Sequence, residues 1–211
     1  MRVTDRSDDT GGDGRSVTEA QQPAAAIVGV GNRLLRDDGV GPRVIDVLEE
    51  SVDVPSEDVR LYDAGTTGFF ALEAMSGCDR AIVIDAIRTG REPGTIREYR
   101  FTDGGFDEEV PQVTMHDVSF TEALTYARDV YELPDDVRIV GVEPGSLGTG
   151  LELTDPVREA IPELLGRIAS YESAIDPDEV SAIDPDEVSA IDPARSEDDT
   201  PTPTTHEVRD Q

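Results

Sequence analysis

The chain has 211 residues, of which 47 are acidic and 18 are basic, so its formal net charge is −29. Every basic residue is an arginine. Because nucleic-acid binders and anionic-membrane binders need clustered positive charge, this composition argues against both kinds of partner. No apolar run approaches the ~20 residues that span a bilayer, and the polar N-terminus shows no signal-peptide pattern. We therefore predict a cytoplasmic protein with an acidic surface adapted to high salt.

The two ends of the sequence differ in composition from the middle. Residues 1–23 are rich in Gly, Asp and Ser, while the segment 172–211 contains the repeat SAIDPDEV at Ser173–Val180 and again at Ser181–Val188. A short, acidic repeat with prolines offers too little apolar area to offset chain entropy, so both ends are predicted to be disordered. Removing the C-terminal segment should then leave the melting temperature nearly unchanged. One folded domain, residues 24–171, remains.

Apolar runs alternate with helical patterns along this domain. Strands are predicted at Ala24–Val30, Val59–Tyr62, Ala81–Ile84, Thr95–Phe101 and Val137–Val142. Helices are predicted at Val40–Glu50, Gly68–Met75, Phe120–Val130 and Thr154–Ile168. Such alternation predicts a single α/β domain, in which helices cover both faces of a mostly parallel five-stranded sheet.

Polar residues follow the predicted strands directly. Asp38 lies in the segment after the first strand, Asp63 follows the second and Asp85 follows the third. His116 lies in the long connection that comes before the last strand, and Glu143 comes directly after that strand. Ligands of open α/β sheets bind at the carboxyl ends of the strands, so we expect these side chains to converge on one edge.

The glycine loop after the first strand has two interpretations. Gly29 and Gly31 resemble the start of a dinucleotide-binding fingerprint, but Leu34 stands where the third glycine belongs, and Asp37 and Asp38 begin the next helix. A pyrophosphate would meet these acids instead of free amides. The alternative is a tight turn, with Asp38 as the cap of the helix.

Asp85 is the strongest candidate for a chemical role. It terminates a buried strand, where an unpaired charge is costly. Together with Asp38 and His116 it offers two oxygens and one nitrogen, which suit borderline divalent ions such as Ni²⁺ or Zn²⁺. Cys78, the single cysteine, follows a predicted helix and fits a small buried residue better than a nucleophile.

Five segments in the same order resemble the hydrogenase maturation protease family, and the likeness spans nearly all of residues 26–168. They are GVGNRLLRDDGVG (Gly29–Gly41), DAGTTG (Asp63–Gly68), IVIDAIRTG (Ile82–Gly90), the loop with His116-Asp117, and GVEPGSLGTGLELT (Gly141–Thr154).

The resemblance implies an endopeptidase that removes the C-terminal peptide of a nickel-loaded [NiFe]-hydrogenase large-subunit precursor. It implies catalytic and metal-contacting roles for Asp38, Asp85 and His116, with Ni²⁺ supplied by the substrate, whereas Asp63 and Gly65 shape the site. We expect a monomer whose partner is that precursor. Two alternatives stay open, namely a non-catalytic nickel-binding chaperone on the same fold and a nucleotide- or methyl-donor-binding α/β enzyme.

Overall fold

A computed structural model describes residues 23–55, 58–102, 105–106, 114–115, 118–119, 124, 127 and 130–188. Eight strands lie in these ranges: β1 Ala25–Gly29, β2 Val59–Asp63, β3 Arg80–Ala86, β4 Ile96–Thr102, β5 Gly105–Phe106, β6 Thr114–Met115, β7 Val118–Ser119 and β8 Asp136–Val142. Six of them form one sheet in the order β2-β1-β3-β8-β4-β5, and β6 pairs with β7. Strands β2, β1, β3 and β8 are parallel, whereas β4 is antiparallel to β8.

Helices cover both faces of this sheet. They are a 3-10 helix at Arg36–Gly39, followed by α1 Val40–Ser51, α2 Gly68–Met75, α3 Asp155–Tyr171, α4 Pro177–Ser181 and α5 Pro185–Val188. One face packs against α1 and α3, and the other packs against α2 and the helical residues Leu124 and Ala127. Across the described ranges, no helix is both long and apolar enough to cross a membrane. The predicted α/β fold is confirmed, with the two-residue β5 added beyond the five expected strands.

The central strands explain why the sheet is sealed on both faces. Ala25 and Ile27 of β1 enter the core beneath α1 and α3, whereas Ala26 and Val28 enter the core beneath α2. Strand β3 alternates in the same way, and its residues from Ala81 to Asp85 are all buried. Continuous apolar runs are typical of parallel strands that are covered on both sides. Of the predicted helix Phe120–Val130, residues 120–123, 125, 126, 128 and 129 lie outside the described residues.

The C-terminal segment corrects one prediction. Residues 172–188 are not a disordered tail, because α4 and α5 pack against α3. Each repeat places its valine, Val180 or Val188, in the core cluster beneath α1 and α3. The buried carboxylate of Glu172 accepts hydrogen bonds from Arg80 Nε at 2.9 Å and Nη2 at 3.0 Å. Residues 1–22 and 189–211, also predicted to be disordered, lie outside the described residues.

The physical reason is that the repeat does not need a core of its own. Pro177 begins α4, and Asp176 caps it by accepting a hydrogen bond from the Asp178 amide at 2.8 Å. Ile175 and Val180 then pack against an apolar surface that the main domain already provides. The expectation that removing residues 172–211 leaves stability unchanged is therefore reversed for residues 172–188.

A valine-to-alanine pair tests this packing. We expect Val180→Ala to lower the free energy of unfolding by about 2 kcal/mol, because a fully buried side chain loses two methyl groups. The matched control is Val130→Ala, whose side chain is exposed and whose effect should stay within about 0.5 kcal/mol. Urea unfolding of both variants measures the difference, and equal midpoints would contradict packing of the repeat.

Candidate active site

The carboxyl ends of β1 and β3 mark the point where the chain connections diverge. Strand β1 continues through α1 to β2 on one side, whereas β3 continues to β4, which lies beyond β8 on the other side. The two ends are joined by a hydrogen bond from the Val30 amide to the Ile84 carbonyl at 2.8 Å. Ligand crevices of open α/β sheets form at such switch points. Asp85 is the next residue of β3, so it lies at this crevice.

Asp85 is buried and has an acidic neighbour. Its Oδ1 accepts a hydrogen bond from the Ala86 amide at 2.8 Å. Burial raises the pKa of Asp85 well above its ordinary value, and the charge of nearby Asp38 raises it further, against a small opposing effect of the Ala86 hydrogen bond. The carboxylate thus sits in a place that favours either a bound proton or a cation.

Asp38 reaches the crevice from the 3-10 helix. Its Oδ2 accepts a hydrogen bond from the Asn32 amide at 2.9 Å, and the side chain is half-buried. The alternative in which Asp38 caps α1 is not what the structure shows, since Gly39 occupies the cap position without a side-chain hydrogen bond. The sequence expectation that Asp38 and Asp85 share one edge of the sheet agrees with this geometry.

Asp37 is a structural residue that sequence reasoning missed. Its carboxylate is fully buried and accepts hydrogen bonds from the amides of Gly145, Ser146 and Thr154, at 2.8, 2.8 and 2.6 Å. The Thr154 hydroxyl donates a further bond at 2.8 Å. Asp37 therefore clamps the segment after β1 to the segment after β8 and to the start of α3. The adjacent pair Asp37-Asp38 was the available signal in the sequence. Successive side chains of a 3-10 helix point about 120° apart, so the two acids cannot both face the crevice.

The glycines of the loop serve close packing. A Cβ on Gly31, whose φ is +136°, would lie 1.7 Å from the Asp38 carbonyl oxygen. A Cβ on Gly41 would lie 2.4 Å from the Val30 carbonyl oxygen and 2.5 Å from that of Ile84. The first turn of α1 therefore rests directly on the ends of β1 and β3. The loop is therefore a tight turn, which was one of its two interpretations. This turn holds Asp38 against the end of β3.

Arg33 joins the glycine loop to two acids. Its Nη2 donates to Asp46 Oδ1 of α1 and to Asp63 Oδ2 of β2, both at 2.8 Å. Burial disfavours the charged guanidinium, but the hydrogen bonds to the two carboxylates outweigh burial and raise the pKa of Arg33. Asp63 also accepts from the Gly65 amide at 2.8 Å. Its carboxylate is thereby committed to shaping the loop.

Glu143 fixes the segment after β3. Its Oε2 accepts hydrogen bonds from the Thr89 amide at 2.7 Å and from the Thr89 hydroxyl. Burial tends to raise the pKa of Glu143, but the bonds from Thr89, Arg91 and Gly90 prevail and hold the pKa below its ordinary value. Glu143 is thus a second clamp, which joins the end of β8 to the segment after β3.

The third predicted ligand, His116, lies outside the described residues. Among the residues that are described, no three His, Cys, Asp or Glu side chains form a group able to hold a metal ion. The predicted trio therefore stays a prediction.

Cys78 is buried, and burial is the main cause that raises the pKa of its thiol. The charge of Arg60 lowers this pKa, and the charge of Asp79 raises it. A protonated, buried thiol is a poor nucleophile.

Comparison with known proteins decides the family. A family model described as HycI, hydrogenase maturation protease, matches residues 42–171, which is more than half of the chain. The chain belongs to the hydrogenase maturation protease family. The resemblance stated from the sequence motifs is thereby confirmed.

Individual members of the hydrogenase maturation protease family show the same likeness. The hydrogenase expression/formation protein HupD of Rhizobium leguminosarum bv. viciae is 33% identical over 72% of this chain and 73% of its own length. The hydrogenase 2 maturation protease of Escherichia coli K12 is 33% identical over 71% of this chain and 92% of its own length.

Solved structures of the family agree with the fold. The hydrogenase maturating endopeptidase HybD of E. coli superposes with a TM-score of 0.60 at 32% identity, over 72% of this chain and 94% of the other. A hydrogenase 2 maturation peptidase from a Thaumarchaeota archaeon gives a TM-score of 0.53 at 27% identity, over 70% and 96%. The protein is therefore a peptidase, as predicted, and the non-catalytic chaperone and the nucleotide- or methyl-donor enzyme are set aside.

Proposed function

We propose that this hydrogenase maturation protease removes the C-terminal peptide of a nickel-loaded [NiFe]-hydrogenase large-subunit precursor, and that it recognises the nickel through Asp38, Asp85 and His116. The single observation that carries the proposal is the pair of acids at the switch point. Asp85 is buried and, within the described part of the chain, the charge that acts on it is the negative charge of Asp38 and not that of a basic group. A divalent cation between the two carboxylates offsets both the repulsion and the cost of burial.

The chemistry of the donors supports nickel held by the substrate. Two carboxylates and one imidazole suit a borderline divalent ion, and they leave coordination positions for ligands that the precursor itself contributes. A precursor without nickel would then lack the group that offsets the charges of Asp38 and Asp85. Binding of the metal by these residues would then also place the scissile bond correctly.

Hydrolysis of the bond calls for a water molecule and a proton acceptor. A carboxylate at the crevice can take a proton from water, and a metal can polarise the water or the scissile carbonyl. Because burial and the charge of Asp38 raise its pKa, Asp85 takes up a proton more readily than an ordinary aspartate and is suited to proton exchange. Asp37, Glu143 and Arg33 do not take part in this step, since their polar atoms are occupied in holding the loops.

The proposal is tested by incubating the purified protein with precursor that has been prepared with and without nickel. We expect mass spectrometry to show loss of the C-terminal peptide from the nickel-loaded precursor only. His116→Ala and Asp38→Asn should each lower the rate of processing about 10²-fold or more.

Two outcomes contradict different parts of the proposal. Equal processing of both precursors would overturn nickel recognition while leaving the peptidase activity in place. Full activity of His116→Ala would remove that residue from the site. Asp58→Asn, a substitution of an exposed acid that precedes β2, is the matched control and should process at the wild-type rate.

A further inference from the structure

Large apolar side chains are exposed at one edge of a strongly acidic protein. Among the described residues, five such side chains are exposed: Leu34 at 61%, Phe69 at 69%, Phe70 at 49%, Val130 at 78% and Leu151 at 45%. All except Val130 follow the carboxyl end of a parallel strand. We refer to Leu34, Phe69, Phe70 and Leu151 as the apolar rim.

The apolar rim surrounds the switch point from three loops. Leu34 comes from the loop after β1, Phe69 and Phe70 from the first turn of α2 after β2, and Leu151 from the loop after β8. Of these strands, β1 and β8 flank β3, whose end carries Asp85, and β2 lies on the far side of β1. Val130 instead precedes β8 and lies at the opposite, amino edge of the sheet.

Backbone hydrogen bonds hold the three loops together. The Gly31 amide donates to the Gly65 carbonyl at 2.8 Å, which joins the loop after β1 to the loop that leads into α2. The Gly150 amide donates to the Leu34 carbonyl at 2.9 Å, and the Arg36 amide donates to the Gly150 carbonyl at 2.8 Å. The apolar rim is therefore preformed, so a ligand that covers it does not have to order the loops.

Phe69 and Phe70 of the apolar rim cannot turn inward to bury their side chains. Helix α2 already directs Ala71, Leu72 and Met75 onto the sheet, so Phe69 and Phe70 occupy the remaining sides of the helix. Several large apolar side chains that stay exposed at one edge of a protein of net charge −29 are typical of a binding surface.

We propose that the apolar rim binds the stretch of substrate polypeptide next to the scissile bond, and that this stretch carries large apolar side chains and no net negative charge. The inference rests on the proposed function, because it takes Asp38 and Asp85 as the place of cleavage. A peptidase needs to hold a polypeptide across its active site, and Leu34 of the apolar rim lies in the segment between β1 and the 3-10 helix that carries Asp38. The charge of the chain, −29, repels an acidic segment and leaves an apolar, neutral or basic one as the complementary occupant.

The test compares substitutions on the apolar rim with the same kind of substitution at the opposite edge. Phe69→Ser and Leu151→Ser should each raise KM for the nickel-loaded precursor about tenfold while changing kcat little, because they remove binding that precedes the chemical step. Phe69→Leu should restore most of the affinity. Val130→Ser is the matched control, as it removes an exposed apolar side chain that is not part of the apolar rim.

A direct binding measurement separates this proposal from the proposed function. Affinity for the precursor is measured by interferometry for the wild type and for each variant, alongside cleavage. If the wild type cleaves and the rim variants bind as tightly as Val130→Ser, docking on the apolar rim is overturned and the function stands. If the wild type binds without cleaving and the rim variants lose affinity, the function fails and docking stands.

A precursor with Asp in place of the apolar residues beside the scissile bond should bind at least tenfold more weakly, and equal affinity would overturn the proposed chemistry of the segment.

Discussion

Replacing Asp85 with Asn is expected to abolish most of the processing activity and, at the same time, to stabilise the fold at neutral pH. In the proposed role, Asp85 contacts the nickel and exchanges a proton, so kcat/KM should fall by about 10² to 10⁴-fold. The Asn side chain has nearly the same size as Asp, and its carbonyl oxygen can still accept the hydrogen bond from the Ala86 backbone amide. The loss is therefore chemical, and the crevice keeps its shape.

The gain in stability follows from the raised pKa of Asp85. A carboxyl whose pKa is higher in the folded state than its ordinary ~4 holds its proton more tightly when folded. Between these two pKa values the folded state binds more protons than the unfolded state, so the stability of the wild type falls as the pH rises. Above the raised pKa the full cost of ionising a buried group is present. Asn does not titrate and escapes this cost.

Two measurements check this prediction. Denaturant unfolding of metal-free protein from pH 4 to pH 9 should show equal stability at the acidic end and a growing advantage of Asp85→Asn toward the alkaline end. A variant that is less stable than the wild type at every pH would contradict the argument. Asp58→Asn, at an exposed position, should change neither the unfolding profile nor the processing rate.

Asp37→Ala is expected to be the most destabilising single substitution at the edge of the sheet that carries the active site. It removes the acceptor for the amides of Gly145, Ser146 and Thr154 and for the Thr154 hydroxyl, in a fully buried place. Buried donors without an acceptor cost about 1–3 kcal/mol each, with partial relief where water enters. We expect a loss of about 3–5 kcal/mol in the free energy of unfolding.

Thermal and urea unfolding measure this loss, and the rank order of variants gives a sharper test than any single value. Asp37→Asn keeps one acceptor oxygen and should fall between the wild type and Asp37→Ala. Asp58→Ala removes an exposed acid and should stay within about 0.5 kcal/mol of the wild type. Equal effects of Asp37→Ala and Asp58→Ala would contradict the clamp.

The sequence predicted the architecture well because strands and helices can be recognised from the local periodicity of their apolar residues. The apolar run Ala81–Ile84, which Asp85 follows, is typical of a strand covered on both faces, and the carboxyl end of such a strand is where ligands bind. Asp38 followed from the same rule. Their approach to each other in the structure depends on the close contact of α1 with β1 and β3, which Gly41 makes possible.

What the sequence could not predict depends on long-range contacts. Asp37 and Asp38 are chemically identical neighbours, and only the position of the segment after β8 determines which of them is buried. The role of Arg33 depends on Asp46 and Asp63, which the fold brings to it from two other elements. The C-terminal repeat was misjudged for a related reason, since its own composition says nothing about the apolar surface that α1 and α3 present to it.

The repeat also has a consequence for how this chain can change in length. The copies Ser173–Val180 and Ser181–Val188 are identical and adjacent, and a partial third copy, SAIDP, begins at Ser189. Loss of one eight-residue unit brings the next copy to the same distance from Tyr171, with its isoleucine, its Asp-Pro helix start and its valine at the same spacing. Loss or gain of 24 nucleotides during DNA replication therefore preserves the turn that packs beside α3.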